Sequence, residues 1–292
     1  MEEGKIDLTD AIYQSLNKIF SNLFSSIDNS IYSLLDNLCF IDTKILNNSS
    51  ISQLIGFSAG NGFLLICNAM VIGFIIYYAA NFLFSHLTYS KISSPSQFFF
   101  KCIIFIALMN ASLWICTEII NLLSIVTDII KHLGENQFGQ IISFANFIDT
   151  INSKIYIDTK EFSIISFDGI IKSFCTIGLI NLLITYSLRY IMVQVFILIS
   201  PFAFLCLISD NSTWIFKSWL RSFISLLLVQ FLIVIILCLA FSLNIDNSNF
   251  SKLLFIGIIY ALTRANSYMK DIFGGISTDI HSGISSIKSL SH

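Results

Sequence analysis

Residues 173–209 read SFCTIGLINLLITYSLRYIMVQVFILISPFAFLCLIS, 37 residues whose one formal charge is Arg189. A helix needs about 20 apolar residues to cross a bilayer, so this run belongs to a membrane and is too long for one upright span. Tyr186 to Ile191 holds no Gly, Pro, Asn or Asp to turn the chain at Arg189. Pro201, by contrast, removes a backbone donor and disfavours helix at Ser200. The spacing predicts one long helix that ends near Ser200 and Pro201, followed by a short re-entrant or interfacial segment over Phe202 to Ile208. The competing reading, two short spans turning at Arg189, makes six spans in all and suits the charge distribution less well.

The rest of the chain agrees with a membrane environment. Of 292 residues, 55% are hydrophobic and 12% charged, with a mean hydropathy of +0.80, against roughly 45–50% and about 25% in soluble domains. With 16 basic and 18 acidic residues, no basic nucleic-acid-binding surface dominates. The apolar runs are long and unbroken, unlike the alternating segments of about ten residues in a transmembrane β-barrel. The fold class is all-α, a polytopic helical membrane protein. Six of the seven cysteines fall in apolar runs without a CxxC pair, and the four histidines lie far apart, so neither a metal nor a cofactor is expected. The N-terminus lacks a basic segment followed by a short apolar run, and no cleaved signal peptide is expected.

Apolar residues at three-and-four spacing from Ile12 to Leu38 predict an amphipathic helix. Its other face carries Asp, Asn and Ser rather than Lys and Arg, which suits packing against a partner, a second copy or its own bundle better than an anionic membrane surface. Spans are expected over Gly62–Leu87, Phe98–Val126, the Pro-broken run, Ser222–Leu243 and Lys252–Tyr268, five in all. The segments are then 1–61, an extracytoplasmic amphipathic region; 62–126, two spans; 127–172, an extracytoplasmic loop subdomain; 173–268, three spans broken at Pro201; and 269–292, a cytoplasmic tail. With the N-terminus outside, the inside segments hold seven basic and three acidic residues, and the longer outside segments eight and fourteen. That satisfies the preference of Lys and Arg for the cytoplasmic side.

Gly56-Phe57-Ser58-Ala59-Gly60 matches the GxSxG elbow of hydrolases. That motif needs a strand-turn-helix unit in an α/β sheet, which an all-α membrane chain does not supply, and small residues at the start of a span allow close helix packing. No enzyme is expected. Arg189 and Glu118 are the charges inside apolar spans, and each is costly facing lipid unpaired. They can form a mutual ion pair or line a polar pathway, and Arg189 can instead snorkel to an interface. Ser200, Pro201 and Phe202 break a helix where irregular backbone is tolerated only against protein or water, so they are a candidate channel element or a plain packing kink. Trp214, Lys217, Trp219 and Arg221 form an aromatic and basic cluster at the expected cytoplasmic interface, suited to membrane anchoring or to docking a partner.

Taken in order, Arg189-Tyr190, then Ile199-Ser200-Pro201-Phe202-Ala203-Phe204, Trp219 opening the next span, and a short span running into Arg264 and Gly274-Gly275 resemble the TrbL-like polytopic inner-membrane component of type IV secretion systems, the sixth component in the VirB naming. The resemblance covers about 120 C-terminal residues. It implies a bacterial inner-membrane subunit that oligomerises in the secretion channel, supports pilus assembly and contributes to translocation of DNA or protein. The implied partners are secretion ATPases, pilus and core subunits, further copies of itself, and the lipid bilayer. Pro201 and Trp219 are the positions carried over, with Arg189 beside them. Energy comes from the partner ATPases in such systems, and this chain has no GxxxxGK[ST] phosphate loop. A membrane permease or transporter subunit for a small solute is the alternative class, although the Pro-broken span has no counterpart in the N-terminal half.

Overall fold

The computed structural model describes residues 12, 14–19, 29–46, 54, 62–88, 94–154, 166–243 and 249–274. Among them the long elements are helices: α1 (Asn29–Cys39), α2 (Phe63–Thr88), α3 (Pro95–Asn110), α4 (Ser112–Phe138), α5 (Phe144–Lys154), α6 (Phe167–Leu198), α7 (Ser200–Leu205), α8 (Thr213–Ser242) and α9 (Asn249–Phe273). Short 3-10 turns cover Thr43–Leu46 and Asp210–Ser212. Four helices are long and apolar enough to cross a membrane: Phe63–Ser85, Ser112–Phe138, Gly169–Leu198 and Thr213–Ser242. The protein is therefore an all-α, multi-pass helical membrane protein. The expected fifth span is the 25-residue α9, whose last third, Arg264 to Asp271, is polar and lowers its hydropathy.

Local chemistry sets the boundaries. Ser166 caps α6, its hydroxyl accepting from the Gly169 N–H at 3.0 Å. Gly139, at φ 65°, closes α4 by donating its N–H to the Glu135 carbonyl at 2.8 Å, a left-handed cap that glycine adopts without steric cost. Asp36 on α1 accepts from the Phe144 N–H at 2.8 Å and so caps α5 from across the fold. Burial pushes the Asp36 carboxyl above its ordinary range, opposed by the backbone donors of Phe144 and Ala145.

Helices α6, α8 and α9 form the centre. Phe196 meets Trp219 and Arg189 meets Leu226, so α6 and α8 run antiparallel. Helix α9 returns along α8 and runs in the direction of α6, with the Tyr186 hydroxyl donating to the Leu262 carbonyl at 2.7 Å. One core cluster joins α1, α5, α6, α8 and α9. The other joins α2, α3, α4 and α7 to the C-terminal half of α6 and the N-terminal half of α8. Outward faces stay apolar: Ile72, Ile76 and Leu83 on α2 and Ile103 on α3 are all exposed, as lipid or neighbouring chains require.

Two expectations differ from this arrangement. The span expected over Phe98–Val126 is two helices bent at Ala111, which has φ −87° and ψ 2°. Asn110 turns its side-chain amide back onto the Ile106 carbonyl at 2.8 Å, the local competition that makes Asn a poor helix-interior residue. Helix α4 then runs past Val126 to Phe138, so the first part of the stretch expected as a loop is helical. Ile129, Ile130 and Leu133 keep helical spacing between the charged residues, and the helix carries Gly134 in its interior before it stops at Gly139. The amphipathic region takes one of the dispositions left open for it. Its C-terminal part, α1, folds onto its own bundle, with Leu35 and Cys39 buried; residues 14–19 are helical, and 20–28 lie outside the described residues.

Candidate functional site

The proline break is a seam whose loose backbone groups are retied by named side chains. In an unbroken helix the carbonyls of Phe196 and Ile197 would accept from residues 200 and 201, and Pro201 has no N–H to give. The Ser200 hydroxyl donates to the Ile197 carbonyl at 2.7 Å. The indole Nε1–H of Trp219 donates to the Phe196 carbonyl at 3.0 Å. Helical bonding resumes when the Ala203 N–H reaches the Ile199 carbonyl at 3.2 Å. Ser200, Pro201, Ala203, Phe204 and Leu205 are buried, and Phe202 sits edge-on to Phe63 of α2 with ring centroids 5.7 Å apart. The bend is thus enclosed by protein, the condition under which irregular backbone survives at membrane depth.

Trp219 does not sit at a surface with its three expected neighbours. It is 5% exposed, stacked on Phe223 at 5.4 Å and edge-on to Phe204 at 5.7 Å. The reason is helical geometry: Trp219 lies on the face of α8 that turns inward, whereas Trp214, Lys217 and Arg221 point out and are exposed. The aliphatic stem of Arg221 nevertheless covers Gly274, where an added Cβ would lie 2.8 Å from the Arg221 Cδ. Glycine suits that position twice over, since its φ of +74° is left-handed.

About three turns before the break, Arg189 is 0% exposed. Its Nε donates to the Leu226 carbonyl on α8 at 2.7 Å, and its Nη1 donates to the Cys39 carbonyl at the end of α1 at 3.0 Å. A cation at a helix C-terminus is favourably placed against the helix dipole. One turn further along α8, Gln230 Oε1 accepts from the Ile41 N–H at 3.1 Å. The corner from Cys39 to Ile41 is therefore held by one side chain from α6 and one from α8. Arg189 Nη2 and Gln230 Nε2 are buried without a partner.

The mutual ion pair considered for Arg189 and Glu118 is not formed. Arg189 meets carbonyls and no carboxylate among the described residues, while Glu118 is exposed on α4. Snorkelling of Arg189 is equally excluded by its complete burial. The Cys39–Ile41 corner is the part that sequence reasoning missed. Its signal was the coincidence of a single formal charge, Arg189, in one apolar span and a single side-chain amide, Gln230, in the next. The GxSxG residues 56–60 lie outside the described residues.

Fold and seam together define a class, a multi-pass helical membrane protein with a buried, retied helix break. No family model, curated protein or solved structure matches the chain.

Proposed function

We propose that the protein is a channel or scaffold subunit of a type IV secretion (conjugation-like) system in the bacterial inner membrane, with its N-terminus outside and its C-terminus cytoplasmic. In this reading it supports pilus assembly and the passage of DNA or protein, has no catalytic centre, and relies on partner ATPases for energy. What supports the reading is that the residues carrying the TrbL-like resemblance act together. Arg189, Pro201 and Trp219 lie along one α6–α8 seam, and Trp219 directly ties the backbone that Pro201 loosens. The apolar outer faces of α2 and α3 offer surface for further copies.

The test is a mild-detergent isolation of the tagged chain from its native cell, with partners identified by mass spectrometry. Secretion ATPases with pilus or core subunits are the expected company. A lone homo-oligomer, or a transport ATPase with a solute-binding protein, would replace this reading by a permease. Orientation is checked with a reporter fused after Lys217, expected to read as cytoplasmic; an extracytoplasmic reading would reverse the topology.

A further inference from the structure

Between α6 and α9 lies a half-open cleft of about 290 Å³. Its walls differ in chemistry along its length. Phe174, Ile177 and Ile256 make one end apolar, while Asn181, Thr185 and Arg264 make the other end polar. Both helices run in the same direction, so the polar end faces their common C-terminal side. Arg264 also marks the junction within α9 between the uncharged stretch Leu253–Thr263 and the polar stretch 264–271. Gly178 holds the two walls together, since a Cβ there would lie 2.5 Å from Ile259 Cγ2.

The polar end has unspent hydrogen-bonding capacity. Arg264 faces the Tyr260 ring at 5.5 Å and meets no carboxylate among the described residues. Neither Asn181 nor Thr185 has a side-chain hydrogen bond among them. A guanidinium at an apolar boundary calls for an anion, and phosphate matches its fork of donors. The adjoining apolar wall calls for a hydrocarbon chain. A free phosphate has no use for that wall, and a zwitterionic lipid would bring its own cation beside Arg264.

We infer that the α6–α9 cleft is a binding site for an anionic phospholipid, its phosphate on Arg264 with Asn181 and Thr185, and an acyl chain along Phe174, Ile177 and Ile256. The site does not depend on the secretion reading. The test uses the purified full chain, with phosphatidylglycerol, phosphatidylcholine and inorganic phosphate as separate probes. Lipid retention is read by native mass spectrometry and stabilisation by thermal unfolding. Phosphatidylglycerol is expected to be retained and to raise Tm, whereas phosphatidylcholine and phosphate leave both unchanged. Arg264→Gln should weaken phosphatidylglycerol retention by about tenfold or more, the loss expected when one charge-assisted contact is removed. Asn181→Leu, which keeps the charge and suits an apolar helix, should give a smaller loss and decides the matter should the arginine variant not fold. Equal retention of the two lipids, or unchanged retention in these variants, overturns the proposal; stabilisation by phosphate alone shows an anion site without a lipid.

Discussion

Replacing Arg189 tests whether its charge or its hydrogen bonds hold the Cys39–Ile41 corner. The two bonds, at 2.7 Å and 3.0 Å, contribute about 1.5–3 kcal/mol each when the donor is charged. Against this, burying an uncompensated ion costs several kcal/mol even after relaxation, and Arg189 is 0% exposed without a carboxylate partner. The two effects nearly cancel. Arg189→Met removes both at similar length, leaving mainly the Cys39 carbonyl without its donor at about 1–3 kcal/mol; the Leu226 carbonyl stays within α8. Arg189→Lys keeps the charge, hydrates more strongly and cannot present a planar fork to two carbonyls, so it should lose about 3 kcal/mol or more. Arg189→Glu points a carboxylate at two carbonyl oxygens and should be worst. The stability order is therefore wild type and Met close together, then Lys, then Glu. Reversible unfolding in mixed detergent, followed by tryptophan fluorescence, measures it. A stable Lys variant beside a collapsed Met variant would refute the reasoning, because the charge itself would then be the stabilising element.

Exchanging charges in the double variant Arg189→Glu with Glu118→Arg should not rescue the single Arg189→Glu defect, since Glu118 is exposed and unpaired with it; recovery of folded protein would overturn that placement. Trp219→Phe should cost about 1–3 kcal/mol by leaving the Phe196 carbonyl without a donor. Pro201→Ala should stay within about 1 kcal/mol because Ser200 already serves Ile197, and in the double variant it should recover part of the tryptophan loss by letting the helix straighten. The same unfolding titration detects this coupling, and strict additivity would argue against a shared seam. At Gly134 an added Cβ lies 2.6 Å from Cys238 Sγ and 3.3 Å from Ile142 Cγ1. Gly134→Ala should therefore cost about 1–3 kcal/mol despite better helix propensity. Cys238→Ala in the same chain should restore much of it, and a lack of restoration would place the strain elsewhere.

The long helix ending at Leu198 and the short one after Pro201 were readable from local chemistry, because a missing N–H acts on its own neighbours whatever the tertiary fold. The same holds for the apolar runs that became α2, α6 and α8. The bend at Ala111 was less legible: the run Phe98–Val126 holds neither Gly nor Pro, the strongest local punctuation, and Asn110 is a weaker signal. The continuation of α4 to Phe138 was hidden by its charges, which look like a loop until their helical spacing is set against Gly139. The fate of Trp219 depended on which face of α8 met α6, information no single helix carries. The Arg189 contact was the least accessible, since its partner is a backbone carbonyl and any residue at position 39 supplies one.

The corner held by Arg189 and Gln230 also imposes a schedule on biogenesis. Cys39 and Arg189 are 150 residues apart, and Ile41 and Gln230 are 189 apart. At about 5–20 residues per second, roughly 10–40 s separate the synthesis of the corner from that of its last partner. During that interval the nascent chain holds α1 without its full dock. Closure of the corner cannot precede synthesis of Gln230, whatever the intrinsic rate at which these helices associate.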